Sequence, residues 1–223
     1  GLTFSSDGTK LITTHSSNTY IYQYDLGTAW DISTLSAYSG NKSYYQHTGS
    51  FSAYGGNIQW KSDGSKYYVL GASDETIHEF DANTSWRVQG SLYDRNPANS
   101  SGYTDYCHPM GLGMPQSMYS SEFNSDGTKI FVMRGGSIYR RNLGTAYDIT
   151  TITSSQGQYK GLSGLGYGPH AFKFNSSGTK LLIFEIQNKH VQQWSLSTAF
   201  DLTTLTDDNV CLLYTSDAAD DIP

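Results

Sequence analysis

Short runs of alternating apolar and polar residues recur along the chain, as in "IYQYD" from Ile21, "IHEFD" from Ile77 and "IYRRN" from Ile138. A period of two predicts β-strands. Each run follows an apolar stretch that leaves a polar turn: "FSSDGTKLITT" from Phe4, "WKSDGSKYYVL" from Trp60, "FNSDGTKIFVM" from Phe123 and "FNSSGTKLLIF" from Phe174. The turn glycines Gly8, Gly64, Gly127 and Gly178 stand 56, 63 and 51 residues apart. The chain is therefore built from four repeats, and repeats of this length are read before any local structure.

Within one repeat the aromatic residue ends a first strand. The Asp-Gly pair supplies the positive φ of a tight hairpin turn, and the following apolar run is the second strand. A polar loop leads to the alternating third strand. That strand closes on a Thr-Ala-aromatic-Asp corner at Trp30, Tyr147 and Phe200, with Ser85 replacing Ala before Trp86. A less regular fourth strand completes the unit. Tandem four-stranded antiparallel units predict an all-β fold, a β-propeller fragment of four blades that start near residues 1, 57, 120 and 171. The expected domain is 1–210, a partial propeller with its fourth blade incomplete and both ends truncated. The second repeat departs from the pattern with Arg87 and Val88 at the corner, and the fourth has Ser177 for the turn aspartate.

Composition agrees with strands and turns. Charged residues are only 15% of the chain, with helix formers scarce beside Gly, Ser, Thr and Tyr. The formal charge of −6 and the lack of a basic stripe argue against nucleic acid as a partner. No apolar run reaches the roughly 18 residues of a membrane span.

The motif "FSSDGTKLITT…YIYQYDLGTAWDIST" resembles the F-x-x-D-G-T-K…Y-D-L-S-T-x-W-D-I-S-T repeats of β-propeller proteins found in marine phage and bacterial sequences. The likeness runs from residue 1 to about 205. It implies a propeller in a tail-fibre or cell-surface setting, virion or extracellular, and implies no particular chemistry, since propellers host binding, scaffolding and catalysis alike. The repeat is expected to stop at Val210. Beyond it "CLLYTSDAAD" resembles a translated sequencing-library adaptor, so 211–223 reads as a non-native tail.

The recurrent aromatics Phe4, Trp60, Phe123 and Phe174, with Trp30, Trp86, Tyr147 and Phe200, read as packing between blades. Excluding Cys211 of the tail leaves Cys107 alone, so no internal disulfide is expected, and Cys107 beside His108 carries no sign of an activated thiol. The Ser-Asp-Gly-Thr-Lys turns lack the carboxylates calcium requires. Thr3, Gln59, Glu122 and Lys173, each just before an inner-strand aromatic, offer no paired carboxylates for glycoside hydrolysis. "GLSGLG" from Gly161 misses the nucleophile elbow by one position.

Function is therefore expected where the repeats differ, in loops at 46–57, 104–119 and 161–170. These hold the candidate binding residues His47, Tyr54, Tyr106, His108, Tyr119, Tyr167 and His170. Tyrosine on Gly- and Ser-rich loops suits adaptable recognition. The expectation is a non-catalytic binding or structural module with no cofactor, no metal and no catalytic residue. Its partners would be a protein or glycan surface and the remaining blades of the same chain. A propeller enzyme of lactonase or glycoside-hydrolase type and an intracellular interaction scaffold are the alternatives.

Overall fold

A computed structural model describes residues 1–14, 20–35, 42–44, 55–71, 76–82, 84–88, 106–109, 118–162, 169–185 and 189–213. The strands form four separate antiparallel meanders. The first holds β1 (Leu2–Phe4), β2 (Lys10–Thr14), β3 (Tyr20–Asp25) and β4 (Lys42–Tyr44). The second holds β5 (Gly55–Trp60), β6 (Lys66–Gly71), β7 (Thr76–Asp81) and β8 (Tyr106–Pro109). The third holds β9 (Met118–Phe123), β10 (Lys129–Arg134), β11 (Ser137–Leu143) and β12 (Ile152–Gly161). The fourth holds β13 (Pro169–Phe174), β14 (Lys180–Glu185), β15 (His190–Leu196) and β16 (Leu205–Leu213). The fourth blade, expected to be incomplete, thus has four strands. Cys211 and Leu212 continue its ladder opposite Gln192 and Val191, because an apolar stretch can extend a paired edge past Val210.

Two of the repeated blocks are locked together in every blade. The turn glycines take φ between +69° and +72°. Their carbonyls accept from the backbone N–H of the corner aromatic: Trp30 to Gly8 at 2.9 Å, Trp86 to Gly64 at 3.0 Å, Tyr147 to Gly127 at 2.9 Å and Phe200 to Gly178 at 2.9 Å. The corner aromatics themselves stand at positive φ, from 58° to 64°, a conformation that costs an L-residue energy unless its surroundings hold it. In three blades the next residue, Asp31, Asp148 or Asp201, caps a single 3-10 turn by accepting the N–H two residues on. Arg87 cannot accept that bond, and residues 84–88 form a turn without the 3-10 segment.

The core lies between blades. In β6 the side chains of Tyr67 and Val69, with Ile58 of the neighbouring β5, join Ile12 and Ile21 of the first blade, while Tyr68 and Leu70 join Met118, Ile130 and Val132 of the third. β10 repeats the division, with Phe131 and Met133 packed against Phe172, Phe174, Leu181 and Ile183 of the fourth. The second strands of the two middle blades, β6 and β10, are therefore buried on both faces, with a back face toward the preceding blade and a forward face toward the next.

The expectation that all the recurrent aromatics are inter-blade core needs correction. The inner-strand aromatics do meet the preceding blade, Tyr68 against Phe123 and Phe131 against Phe174, both with ring centres 4.6 Å apart. Of the corner aromatics, Tyr147 and Phe200 also pack against the inter-blade clusters, and all four cover their own turn. Each lies on the inner aromatic of its own blade at 5.1 to 5.4 Å, and a Cβ on the turn glycine would fall 2.2 or 2.3 Å from its ring. Trp30 is 61% exposed, since no blade precedes it among the described residues.

Candidate functional site

Side chains directly opposite one another on paired strands share a face. The forward face of the second blade thus carries one row across the sheet, Gln59, Tyr68 and Glu79, and the third blade carries Glu122, Phe131, Arg140 and Gln158. These rows reach the backbone of the next blade. Gln59 Oε1 accepts from Phe123 N and Glu122 Oε2 from Phe174 N, each at 3.0 Å. Glu79 Oε2 accepts from Ile149 N at 3.0 Å, and Gln23 of the first blade does the same for Val88 N at 2.9 Å. In the third blade Arg140 replaces that acceptor. Its Nη1 donates to the Phe200 carbonyl at 3.4 Å, and Gln158, opposite it, accepts from Leu202 N at 3.0 Å.

The same rows perturb titration. Burial, with the Glu79 carboxylate nearby, pushes the Tyr68 phenol far above its usual range, so its hydroxyl stays protonated and donates to the Tyr147 carbonyl at 2.5 Å. Burial alone would lower the Lys66 ammonium, but bonds to Glu79 and Asp81 outweigh it and raise the value.

The inner strands line a cleft of about 490 Å³ that includes Thr3, Gln59, Trp60, Glu122, Tyr147 and Lys173. It is the natural place for a propeller's chemistry, yet its polar groups are already engaged. Besides its bond to Phe123, Gln59 donates to Ser121 Oγ at 2.9 Å. The second oxygen of Glu122 pairs with Lys173 Nζ at 2.5 Å. One carboxylate neutralised by one ammonium does not give the two separated carboxyl groups of a glycosidase. Among the described residues no three His, Cys, Asp or Glu side chains cluster as metal ligands.

A second feature lies at the entry ends of the inner strands. β9 pairs Ser120 with Met133 but Met118 with Arg134, so Tyr119 is an extra, bulged residue. β13 pairs Ala171 with Phe184 but Pro169 with Glu185, which makes His170 the extra residue at the equivalent point. β5 shifts its register likewise between Gly55 and Ile58. A bulge re-aims side chains and recurs where strands border functional sites. Here it recurs on one rim of three consecutive blades.

The sequence placed seven candidate residues on loops of this rim. Tyr119, half-buried, and the backbone of His170 lie at the bulges, within inner strands rather than loops. Tyr106 and His108 belong to the outer strand β8, opposite Glu79 and Ile77, because the segment they occupy completes the second meander. Opposite Ile77, at the start of β7, His108 is nearer the rim than Tyr106. His47, Tyr54 and Tyr167 lie outside the described residues. Sequence reasoning missed Gln23, Glu79, Arg140 and Gln158. The signal of the first three was a long polar residue at one register position of the third strand of each blade, 23, 79, 140 and 193, whereas Gln158 lies on the fourth strand of its blade.

Stacked four-stranded meanders joined through their faces define the chain as a partial β-propeller. Solved structures share this fold. The periplasmic gluconolactonase PpgL of Pseudomonas aeruginosa superposes with a TM-score of 0.55 at 14% identity, over 95% of this chain and 52% of that one. A functionally unknown protein of Desulfotomaculum acetoxidans gives 0.55 at 13%, over 93% and 60%. The β-propeller domain of Cps50 (Swd1) from Myceliophteria thermophila gives 0.52 at 11%, over 96% and 70%. The chain spans about half the length of the gluconolactonase. No family model and no curated protein matches it. Identities this low establish the fold and leave function to the site.

Proposed function

We propose that the chain is part of a non-catalytic propeller module that recognises a surface partner, protein or glycan, through the rim where the inner strands begin. The observation that carries this reading is the repeated bulge, which sets Tyr119 and His170 at equivalent points of neighbouring blades. His47, Tyr54 and Tyr167 precede these inner strands in sequence, and His108 stands at the outer edge of the same side. Tyrosine and histidine on a rigid rim give contact area and hydrogen bonds without a deep pocket, which favours several modest contacts. The axial cleft supports the reading from the other side, since its Gln59, Glu122 and Lys173 are spent on holding blades together. The tail-fibre or cell-surface setting rests on the repeat's resemblance, and no helix among the described residues is long and apolar enough to cross a membrane.

Binding to arrays of glycans and surface proteins is the test. Tyr54→Ala, Tyr119→Ala and Tyr167→Ala should weaken a hit in steps while the melting curve stays in place. Sugar lactones and glycosides, offered because a gluconolactonase shares the fold, should remain unconverted. Turnover lost on Glu122→Gln without unfolding would replace this reading with an enzyme.

A further inference from the structure

The third blade exposes an aromatic surface that its place in the stack does not account for. Every other large apolar side chain exposed among the described residues belongs to the first or the fourth blade, whose outer faces have no neighbour there. Tyr159 of β12, 69% exposed, belongs to a blade packed on both sides. Its row runs from core to solvent: Val132 is fully buried, Tyr139 opposite it is half-buried, and Tyr159 opposite Tyr139 is open. The two tyrosine rings lie nearly parallel, 24° apart with centres separated by 5.8 Å. Gly157 and Gly161 flank Tyr159 on the same face, so no side chain walls the ring off along its own strand. A Cβ on Gly161 would meet nothing within 4 Å.

The next row on that face departs from the packing of the other blades. Arg141 stands opposite Ile130, where the second blade has Phe80 opposite Tyr67 and the fourth has Trp194 opposite Leu181. Phe80 and Trp194 are buried in the inter-blade core. A cation in that place forgoes apolar burial and sheds part of its hydration, and burial accordingly holds the Arg141 guanidinium below its usual value, with the Tyr139 phenol opposing. The outer strand makes room for it. The ladder passes from Arg140–Gln158 to Asn142–Thr153, a bulge in β12, and a Cβ on Gly157 would fall 2.0 Å from Arg141 Nη1. Because Gly157 is itself exposed, the guanidinium reaches the surface one same-face step, about 7 Å, from Tyr159.

We propose that Tyr159, Tyr139 and Arg141 form a subsite for an acidic sugar, a pyranose that carries a carboxylate. The proposal rests on the reading of the chain as a surface-recognition module and deepens it, choosing a glycan as the partner. The C–H face of the pyranose lies on the open ring of Tyr159, which offers a matching flat apolar surface, and the carboxylate takes paired N–H bonds from Arg141. Ring and carboxylate together span the step between the two residues. Ser137, opposite Gly161 and next to Tyr139 on the same face, sets a hydroxyl on the other side for the sugar's own hydroxyl groups. An acidic peptide brings the charge but no rigid ring to lie on the tyrosine.

Titration of the whole chain with galacturonate, mannuronate, glucuronate and sialic acid oligosaccharides tests this, each beside its counterpart with the carboxyl groups reduced to alcohols. An acidic oligosaccharide should bind about tenfold more tightly than its reduced counterpart, and added salt should narrow the gap. Tyr159→Ala should weaken it about tenfold with unchanged circular dichroism, while Tyr159→Phe, which keeps the ring, should bind as the wild type does. Arg141→Gln should bring acidic and reduced sugars level. Arg141→Lys, which keeps the charge without the planar fork, should fall between and serves if the glutamine variant disturbs the fold. A panel with no acidic binder would overturn the subsite, as would equal binding of acidic and reduced sugars or binding untouched by Tyr159→Ala. A protein or neutral glycan held through Tyr119 and indifferent to Tyr159→Ala would overturn the subsite and leave the recognition module standing, whereas turnover lost on Glu122→Gln would remove both.

Discussion

Gly127 and Tyr147 approach so closely that a Cβ on the glycine would stand 2.2 Å from Cδ2 of the ring. Gly127 also holds φ at +72°, while its carbonyl accepts the Tyr147 N–H. Gly127→Ala therefore meets a backbone penalty and a clash together, with a summed cost of roughly 2–4 kcal/mol. Gly136→Ala is the control, since nothing lies within 4 Å of its Cβ position. Urea melts should separate the two variants clearly, and equal midpoints would show that the ring moves aside.

Glu79 joins the second and third blades and is nearly fully buried. It pairs with Lys66 and accepts the Ile149 N–H. Glu79→Leu leaves the Ile149 N–H without its acceptor and Lys66 with Asp81 alone, and a buried donor left unsatisfied costs about 1–3 kcal/mol. Glu79→Gln keeps an acceptor for Ile149, as Gln23 does naturally for Val88, and should lose about half as much. Equal losses in denaturant unfolding would put the whole effect on Lys66.

The four repeats, their hairpins and the stacking of blades were legible because each rests on local chemistry: period-two strands, Asp-Gly turns and an aromatic at fixed spacing. The corner aromatics were only half read: Tyr147 and Phe200 do pack between blades, but the cover that all four give their own turn went unseen for a physical reason. A residue recurs equally whether it packs between blades or covers a glycine at positive φ, so Trp30 and Phe174 looked alike in sequence. The bulges at Tyr119 and His170 left no trace, since one extra residue in a strand changes neither composition nor turn chemistry. Gln23 and Glu79 looked like the solvent side of alternating strands. Only a neighbour on both faces makes such positions internal, and the exchange of roles between Arg140 and Gln158 depends on a cross-strand pairing that no local pattern displays.

The turn carboxylates predict how stability responds to acid. Hydrogen bonds from Ser5 and from the Thr9 backbone and hydroxyl hold Asp7 down to about 2. Bonds from Lys61 and Ser65 lower Asp63, and the Thr128 hydroxyl lowers Asp126. A carboxylate with a folded value below its unfolded value, about 3.9, stabilises fully above pH ~5 and loses that contribution as pH falls toward 2. The urea midpoint should thus be level from neutral pH to about 5 and drop below about 4. Replacing Asp7, Asp63 and Asp126 with Asn should flatten the acid slope, and an unchanged slope would place the acid response elsewhere.

Trp30 and Phe174 supply the sharpest contrast between exposed and stacked aromatics. Trp30 covers Gly8 and Phe4, yet 61% of its surface is open. Phe174 is buried against Phe131 of the third blade and Phe200 of its own. Phe174→Ala empties a core site and should cost about 3–5 kcal/mol. Trp30→Ala gives up only a partial burial, worth about 1 kcal/mol. Both variants should be compared by urea unfolding at high dilution. A loss from Trp30→Ala that matches Phe174→Ala at high dilution would mean that the corner aromatic holds the first blade together by itself.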